Sequence, residues 1–345
     1  MEIGIVTVHK SGNYGAFHQA LALKKYLEQR NNKVYFLKHS ARRPLVSLMG
    51  KIYTAFREKN VAGIPFFIKQ EIAIAGARGI FDECHISKTK ELDMVILGSD
   101  EIWNVKRKKI RRYPILFGVG IDNPQMISYA PSINDAVEAD FESNPLVVEQ
   151  LKQLKGVSVR DFHSRTVIQK MIDRDINLVV DPTMLHEKEY YYDNMEKKKL
   201  DAPFILVYSY GKNIKNQNDE IQKVKVFARS HQMKIVSVMG YLKWADENIA
   251  VSPYGLFDYY HKAAMIITDT FHGAVFSLMF EKKFWVLPTD SRKVRELLEF
   301  VGLDSCVLKG SKIQDLSECK HNYREIRATI DNLRADSVQY LDLFV

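Results

Sequence analysis

The sequence predicts an α/β protein with two Rossmann-like β/α/β domains that face each other across a cleft. Short apolar strands alternate with amphipathic helices in both halves of the chain, a pattern typical of parallel sheets. The length of 345 residues suits two domains better than one. We place an N-terminal domain at residues 1–186, a C-terminal domain at 187–318 and a C-terminal helix at 319–345. The sequence leaves open whether that helix packs on the first domain.

The first half begins with a β-α-β unit. A strand at 3–8 and a strand at 33–37 flank a helix at about 16–30, whose apolar residues lie near helical spacing. The other elements expected in this half are a helix at 162–171 and strands at 94–97, 126–130, 156–160 and 177–180. The last of these strands is stopped by Asp181-Pro182.

A charged stretch from Glu187 to Asp201 separates the second half from the first. The strands expected after it lie at 204–210, 234–239, 265–268 and 284–287. The expected helices lie at 218–231, 253–264, 273–280 and from 319 onward, and Ser252 is the expected N-cap of the second. Ligands of open parallel sheets bind beyond the carboxyl ends of the strands. We therefore expect the active site in the cleft between the two domains.

The formal net charge of +8 and the pI near 9.1 favour anionic partners such as phosphates or acidic lipids. The basic run from Lys106 to Arg112 is more typical of a solvated surface than of a binding site. A second stretch mixes basic side chains with apolar ones, which favours contact with a membrane surface. Its residues are Arg42, Arg43, Lys51, Arg57, Lys59, Lys69, Leu45, Leu48, Met49, Ile52, Phe56, Phe66 and Phe67. No nucleic-acid-binding module is recognisable, so no nucleic acid partner is expected.

The three cysteines, Cys84, Cys306 and Cys319, are scattered and lack CxxC spacing. We therefore expect neither a structural zinc site nor a disulfide framework, and a reducing compartment fits best. The sequence shows no signal-peptide pattern and no apolar run long enough for a membrane span. A cytoplasmic protein is expected, with peripheral contact at the inner face of the cell membrane.

Polar side chains follow several of the predicted strands. After the first strand, the turn Ser11–Ala16 can approach a polar ligand, with Asn13 and Tyr14 as candidate acceptor contacts. This turn matches neither GxGxxG nor the P-loop pattern, so dinucleotide or NTP binding is not indicated. A tight turn without a ligand explains it equally well.

The segment after the strand at 94–97 carries Ser99, Asp100, Trp103 and Asn104. Asp100 can bind sugar hydroxyls or act as a base, and its alternative role is to cap a helix. Trp103 can stack on a sugar ring, but a place in the core suits it better. Ser99 and Asn104 are further candidate acceptor contacts.

Two other residues end or follow strands. Arg160 ends an apolar strand, and its planar guanidinium suits a carboxylate or a phosphate, although a structural pair with Asp161 is the alternative. His272 lies where a strand turns into a helix, within Thr268-Asp269-Thr270-Phe271-His272-Gly273. A lone histidine is more often structural, but this one shares with Arg160 its position at the carboxyl end of a strand. A neighbouring anion would keep it protonated near neutral pH, as a general acid requires.

Taken together, these motifs resemble those of the polysaccharide pyruvyl transferase family. They read GNYGAFHQALAL, ILGSDEIWN, ISYAPSI, VSVRDFHS, VVDPTML and TDTFHGAVFSL, in this order, from residue 12 to residue 278. The resemblance implies a GT-B-like fold and phosphoenolpyruvate as the donor. It also implies that the acceptor is a hexose of a cell-surface polysaccharide precursor, often lipid-linked. The product would be a pyruvate ketal, with phosphate released.

The chemistry that the resemblance implies assigns roles to the candidates. Addition of an alcohol to an enol phosphate needs a proton for the methylene carbon, and His272 is the candidate acid. A base must take the sugar proton, and Asp100 is the first candidate, with Asp269 behind it. Arg160 would hold the donor. We expect no redox cofactor, nucleotide or metal, only phosphoenolpyruvate as co-substrate.

One position departs from the family pattern. Many relatives carry an arginine two residues before the histidine, where this chain has Thr270. Thr270 and Gly273 are then candidate donor contacts, and a second cation would come from Lys10, Lys282 or Lys283. Two rivals stay open, a GT-B-type glycosyltransferase that uses a nucleotide sugar and a non-catalytic glycan-biosynthesis protein.

Overall fold

The structure is a computed structural model that describes residues 1–39, 44–57, 59–197, 203–211, 218–308, 316 and 319–345. Arg42 and Arg43, which belong to the predicted membrane-contact stretch, lie outside these ranges. The chain divides into two compact units. Unit 1 comprises Met1–Arg42, Gly79–His186 and Ala328–Val345, and unit 2 comprises Arg43–Arg78 and Glu187–Arg327.

The described elements up to His186 are, in chain order, β1 (Glu2–Val6), α1 (Tyr14–Glu28), β2 (Lys33–Leu37), α2 (Pro44–Arg57), α3 (Ile64–Ala77), β3 (Glu83–Cys84), β4 (Met94–Leu97), α4 (Lys108–Arg111), β5 (Met126–Ser128), α5 (Glu138–Phe141), α6 (Pro145–Lys152), β6 (Ser158–Val159), α7 (Phe162–Ile172) and β7 (Asn177–Leu178). Those after His186 are α8 (Lys188–Asn194), β8 (Phe204–Tyr208), α9 (Asn218–Ser230), β9 (Lys234–Ser237), β10 (Glu247–Asn248), α10 (Pro253–Lys262), β11 (Met265–Thr268), α11 (Phe271–Met279), β12 (Phe284–Val286), α12 (Arg292–Phe300) and α13 (Tyr323–Asp342).

Unit 1 is built on a parallel sheet with the strand order β3-β2-β1-β4-β5. Strand β1 pairs with β2 and β4, so that Ile3 lies opposite both Val34 and Met94. Every residue of β4 is buried, as expected for a parallel strand that is covered on both faces. Strands β6 and β7 form a second, small parallel sheet, which a bridge between Ile127 and Gly156 joins to β5.

Unit 2 repeats this plan with the strand order β10-β9-β8-β11-β12. All five residues of β8 are buried. Ser252 is the N-cap of α10, as predicted, because its side chain accepts the backbone N–H of Gly255. The two units therefore confirm the predicted α/β class with two Rossmann-like β/α/β folds.

The predicted and observed elements differ mainly at their ends. The strands at 33–37, 94–97 and 265–268 have the predicted bounds. Helix α11 begins at Phe271 and not at residue 273, because Thr270 caps it and accepts the backbone N–H of Gly273. The sequence does not predict β3 and β10, since strands of two residues carry no recognisable period.

Residues 43–78 group with unit 2, although the sequence analysis assigned them to the first domain. Gln70 of α3 donates to the carbonyl oxygen of Met239 at 2.9 Å, and Gly63 lies directly against the ring of Tyr241. The charged stretch after His186 also belongs to the packing of unit 2, because Tyr191 of α8 contacts the ring of Phe257 in α10. Such contacts join segments distant in sequence, and a local pattern does not reveal them.

The C-terminal residues 328–345 group with unit 1. The hydroxyl of Tyr340 donates to the Ser128 carbonyl at 2.8 Å, and Ser337 Oγ accepts the backbone N–H of Val180 at 2.9 Å. Both side chains are buried. Among the described residues, every helix is too short or too polar to cross a bilayer.

Cys306 and Cys319 form a disulfide bond, which corrects the expectation that these cysteines stay unpaired. Val307 forms a parallel bridge with Val286 of β12, and this pairing draws Cys306 to the edge of the sheet. The segment that leads into α13 brings Cys319 to the same place, 5.8 Å away between Cα atoms. The spacing of cysteines along the chain carries no signal of this encounter.

Candidate functional site

In unit 1, the loops that follow the parallel strands emerge at one edge of the sheet. Thr7, after β1, donates through Oγ1 to the Ser99 carbonyl, after β4, at 2.8 Å. His39, after β2, lies with Nε2 2.8 Å from the Thr7 carbonyl. The polar segments that the sequence singles out at these positions are therefore in direct contact with one another.

Arg160 follows β6 and lies between two carboxylates. Its Nη1 donates to Asp181 Oδ2 at 2.7 Å, and its Nη2 donates to Asp100 Oδ1 at 3.1 Å. The Arg160 side chain is fully buried. Burial alone would lower the pKa of the guanidinium, but Asp181 and Asp100 outweigh it and hold this pKa above its ordinary value.

The donor-binding role expected for Arg160 stays a prediction, but the contacts of its guanidinium favour a different role. Its guanidinium is enclosed and bound to protein carboxylates, so in this conformation it does not present a fork to a donor. The expected alternative, a pair with Asp161, is not what the structure contains either. Asp161 caps α7 by accepting the backbone N–H of Ser164 at 2.8 Å, whereas Asp181, which the sequence suggested only as a strand stop, is the closest partner of Arg160.

Asp100 is the carboxylate of this group that reaches solvent, with a side chain 18% exposed. Its backbone has a φ of 80°, in the left-handed region that aspartate tolerates better than most residues. Gly98, two residues earlier, has a φ of 129°, and a Cβ there would lie 2.0 Å from the Tyr129 carbonyl oxygen. The turn that carries Asp100 is thus held close to β5, and Arg160 fixes the direction of its carboxylate.

Four of the five residues predicted to contact the acceptor are buried. Tyr14, Ser99, Trp103 and Asn104 are at most 1% exposed. The Trp103 indole donates to the Leu116 carbonyl at 3.0 Å, and Asn104 Oδ1 accepts the backbone N–H of Lys106. Asn13 is the N-cap of α1, where its side chain accepts from Gly15 and Ala16. These residues build the loops rather than line an open surface.

Lys10 belongs to a polar group that sequence reasoning did not find. Its ammonium lies 2.6 Å from Glu83 of β3, and Glu83 also accepts from His9 at 2.9 Å. Burial would raise the pKa of Glu83, but Lys10 and His9 outweigh it and lower that pKa. Lys10 is therefore engaged by a carboxylate of its own unit. The sequence pattern does not indicate Glu83, because a strand of two residues such as β3 has no recognisable period.

In unit 2, the segment after β11 forms a compact helix start. Thr268 Oγ1 donates to the Tyr208 carbonyl at 2.8 Å and lies 3.1 Å from Thr270 Oγ1. A Cβ on Gly273 would lie 1.9 Å from Thr268 Oγ1, so the helix approaches the strand this closely because residue 273 is glycine. Asp269 and His272 are buried here, 3% and 7% exposed. The predicted turn and its histidine are therefore located at the carboxyl end of β11.

Lys282 is not at this end of the sheet. Helix α11 has nine residues and rises about 13 Å along its axis before the chain reaches Lys282 and Lys283. These lysines directly precede Phe284, the first residue of β12, at the amino edge of the sheet. Burial lowers the pKa of Lys282. The expectation that Lys282 joins His272 at one site is wrong, because a strand and its following helix run in opposite directions.

A cation that the sequence analysis overlooked lies near the start of α11. Lys293 is the second residue of α12, which follows β12, and β12 pairs with β11 in parallel. Its ammonium is 5.5 Å from the centre of the Phe271 ring, next to His272 in the chain. Arg292 and Lys293 lie in the connection from β12 to α12. A search for polar residues after this strand, like the search made after the other strands, would have included them.

Comparison with known families identifies the chain. The sequence profile described as polysaccharide pyruvyl transferase matches residues 13–291. The chain belongs to the polysaccharide pyruvyl transferase family. This confirms the resemblance and the assignment as a transferase, and membership implies a polysaccharide acceptor. No curated protein matches the sequence.

Solved structures show a shared fold at low sequence identity. An α-glucosyltransferase in complex with UDP is 9% identical with a TM-score of 0.52, and the match covers 100% of this chain and 96% of that one. The same kind of enzyme with UDP and a DNA 13-mer is 7% identical with a TM-score of 0.51, covering 99% and 95%. A UDP-N-acetylglucosamine 2-epimerase from Listeria monocytogenes is 10% identical with a TM-score of 0.49, covering 97% and 90%. The family member is thus GT-B-like in fold, as predicted.

Replacement of Arg160 by Met should destabilise unit 1, because it leaves Asp181 buried without its cation. We expect a loss of about 3–5 kcal/mol in the free energy of unfolding, measured by urea denaturation. Arg165→Met, on the exposed face of α7, is the control and should change little. A residue that only held the donor would behave differently, since its loss would weaken donor binding and leave the unfolding curve unchanged.

Proposed function

We propose that this transferase moves the enolpyruvyl group of phosphoenolpyruvate to a hexose of a cell-surface polysaccharide precursor. One sugar hydroxyl adds to C2 of the enol phosphate while C3 gains a proton and becomes a methyl group. Phosphate then leaves, and a second hydroxyl of the same sugar attacks C2 and loses its proton. The products are a pyruvate ketal and phosphate. This reaction needs phosphoenolpyruvate as co-substrate and no further cofactor.

The observation that carries the proposal is the position of His272 in a chain of this family. The histidine lies in the first turn of α11, directly after the carboxyl end of β11. Polar groups at such a position meet ligands in open parallel sheets, and the positive end of a helix favours an anionic substrate. An imidazole beside a bound phosphate is suited to deliver the proton to C3.

The base that receives the sugar proton is Asp100 in this proposal, with Asp269 as the second candidate. Asp100 combines partial exposure with a carboxylate fixed by Arg160 at 3.1 Å. Arg160 then acts as a positioning residue, since its guanidinium is bound to Asp100 and Asp181. Asp269 is almost fully buried, which fits it less well for a role on an acceptor.

In this proposal, Lys293 supplies the positive charge that an arginine supplies in many relatives at the position of Thr270. Thr270 caps α11 and so stabilises the helix start, whereas an arginine there would extend toward the ligand. Lys293 reaches the same helix start from α12, across the ring of Phe271. An ammonium at this position can bind the carboxylate or phosphate of the donor.

The acceptor is lipid-linked in this proposal, and unit 2 supports it with an exposed apolar surface. Its side chains, between 39% and 68% exposed, are Met49, Tyr53, Phe56, Val61, Ile68 and Ile72. Met49, Tyr53 and Phe56 share one side of α2 by their spacing, and Ile68 and Ile72 share one side of α3. We call these six residues the docking face. Phe66, predicted to join it, is buried in the core instead.

The charges around the docking face favour an anionic lipid surface as its partner. Arg57, Lys59 and Lys69 are exposed. Among the described residues of this stretch, the acidic one is Glu71, which is buried in an ion pair with Arg78 at 2.7 Å. Apolar side chains framed by basic ones are typical of segments that rest on a bilayer surface. Peripheral contact would bring the enzyme to a lipid-linked acceptor.

Incubation with phosphoenolpyruvate and candidate hexose acceptors should release phosphate and add the mass of a pyruvate ketal to the sugar. His272→Ala should lower the rate about 10²- to 10⁴-fold, the usual contribution of a general acid. His231→Ala, directly after α9, is the control and should keep the wild-type rate. Unchanged turnover in His272→Ala would contradict the assignment. Consumption of a nucleotide sugar without phosphate release would favour the glycosyltransferase rival.

Lys293→Met should raise the KM for phosphoenolpyruvate by roughly tenfold to a hundredfold, the effect of one lost charge-assisted hydrogen bond. Lys282→Met removes an equal charge at the opposite edge of the sheet and should leave KM unchanged. Steady-state kinetics at saturating acceptor measure both. If Lys282→Met has the larger effect, the donor lies elsewhere.

The double variant Tyr53→Ser, Phe56→Ser should bind vesicles containing phosphatidylglycerol at least about tenfold more weakly, because two apolar side chains no longer enter the bilayer. Leu146→Ser, an equally exposed apolar position on α6, should bind as the wild type does. Co-sedimentation with and without the anionic lipid measures this. A change in oligomeric state with unchanged vesicle binding would make the docking face a contact between copies of the chain.

A further inference from the structure

Two cysteines and a histidine form a cluster in unit 2 that the proposed reaction does not use. Cys306 directly precedes Val307, which forms a parallel bridge with Val286 of β12. His321 accepts the backbone N–H of Phe284 at 3.3 Å. Phe284 is the first residue of β12. The cluster therefore lies along β12, with His321 at the first residue of the strand and Cys306 next to the bridge partner of its last residue, Val286.

The hydrogen bonds of His321 fix the state of its ring. Nδ1 lies 3.2 Å from the Cys319 carbonyl, which can only accept, so Nδ1 carries the hydrogen. Nε2 accepts the N–H of Phe284 and therefore bears a lone pair. This same nitrogen lies 3.8 Å from Cys306 Sγ and 3.9 Å from Cys319 Sγ. An imidazole whose N–H is bound to a carbonyl is the usual form of a metal-bound histidine. A metal ion would take the Nε2 lone pair in place of the Phe284 N–H.

The two nitrogen–sulfur separations agree with ligation of one ion, whereas the two sulfurs, bonded in the disulfide, would move to about 3.8 Å apart after reduction. In a tetrahedral zinc site, bonds of about 2.3 Å to sulfur and about 2.0–2.1 Å to nitrogen leave the two atoms roughly 3.5 Å apart. The observed Nε2–Sγ distances exceed this by a few tenths of an ångström. All three donor atoms lie within 4.8 Å of one another. Cys306 and Cys319 are buried, and His321 is partly buried.

We propose that Cys306 Sγ, Cys319 Sγ and His321 Nε2 bind a zinc ion when the two cysteines are reduced. The structure contains their oxidised form, the disulfide. A trialkylphosphine reduces this disulfide. The phosphorus takes the oxygen of one water molecule and becomes a phosphine oxide, and each sulfur gains one of the two hydrogens of that water. Zinc binding then displaces the two thiol protons, and two thiolates neutralise the charge of the ion. Thiolates with an imidazole are a donor set that selects zinc among common divalent ions.

The zinc ion would connect the segment before α13 to the edge of β12. The disulfide makes the same connection in the oxidised chain, but it needs no histidine. Nε2 of His321 faces both sulfurs, and this geometry distinguishes a metal site from a pair of cysteines that only form a bond. The inference is independent of the proposed transfer reaction, because Cys306, Cys319 and His321 have no role in that reaction.

Cobalt provides the decisive measurement. The full-length protein is reduced with a trialkylphosphine without oxygen, separated from the reductant and titrated with Co²⁺, and Zn²⁺ is then added to displace it. We expect one equivalent of Co²⁺ with sulfur-to-cobalt charge-transfer absorption, which Zn²⁺ abolishes. The oxidised protein should give no such absorption. Absence of stoichiometric uptake by the reduced wild type, or equal uptake by the oxidised protein, would overturn the proposal.

Two variants and one control separate the metal site from the disulfide. His321→Gln keeps both cysteines and should still form the disulfide, yet bind Co²⁺ more than about tenfold more weakly, since loss of even an outer-shell partner of a metal ligand costs that much. Cys306→Ser should lose the charge-transfer absorption. Cys84→Ser removes the one free cysteine of the described chain and should bind as the wild type does. Wild-type affinity in His321→Gln would show that the histidine is not a ligand.

Discussion

Parallel strand pairing brings the polar loops of each unit to one edge of its sheet. Since all strands run in the same direction, each delivers the residues that follow it to the same side, and each helix carries the chain back. This places Ser99 beside Thr7, and it places Lys293 beside the ring of Phe271, the residue before His272. It equally explains why Lys282 lies at the other edge. The direction of a strand decides which polar residues can act together.

Within unit 1, the buried guanidinium of Arg160 has to be neutralised where it lies. A buried charge without partners would cost far more than the unit's structure could offset. Asp181 and Asp100 supply the countercharges, and Asp181 is in turn held by Thr183 at 2.8 Å. The result is a rigid group in which only Asp100 reaches solvent. The candidate base thus owes its direction to an arginine that is itself held by Asp181.

Unit 2 meets a different requirement at the start of α11. The helix approaches Thr268 so closely that residue 273 can only be glycine, and Thr270 caps the exposed N–H groups. A threonine at this position stabilises the helix but contributes no charge. A cation of the neighbouring strand-to-helix connection, Lys293, lies 5.5 Å from the centre of the Phe271 ring. Cys306, Cys319 and His321 are brought together beside β12, although their sequence spacing predicts no site.

The sequence by itself determined the α/β class, most strands and helices, the family and the turn that carries His272. These depend on local periodicity and on motifs in a fixed order, and both are properties of the sequence alone. Only the tertiary structure decided that Arg160 is bound by Asp181, that Trp103 and Tyr14 are core residues and that Lys293, rather than Lys282, lies near the start of α11. It also joined residues 43–78 to unit 2 and paired Cys306 with Cys319. Each of these depends on burial or on contacts between distant segments, because a side chain's partners are set by the fold around it and not by its neighbours in sequence.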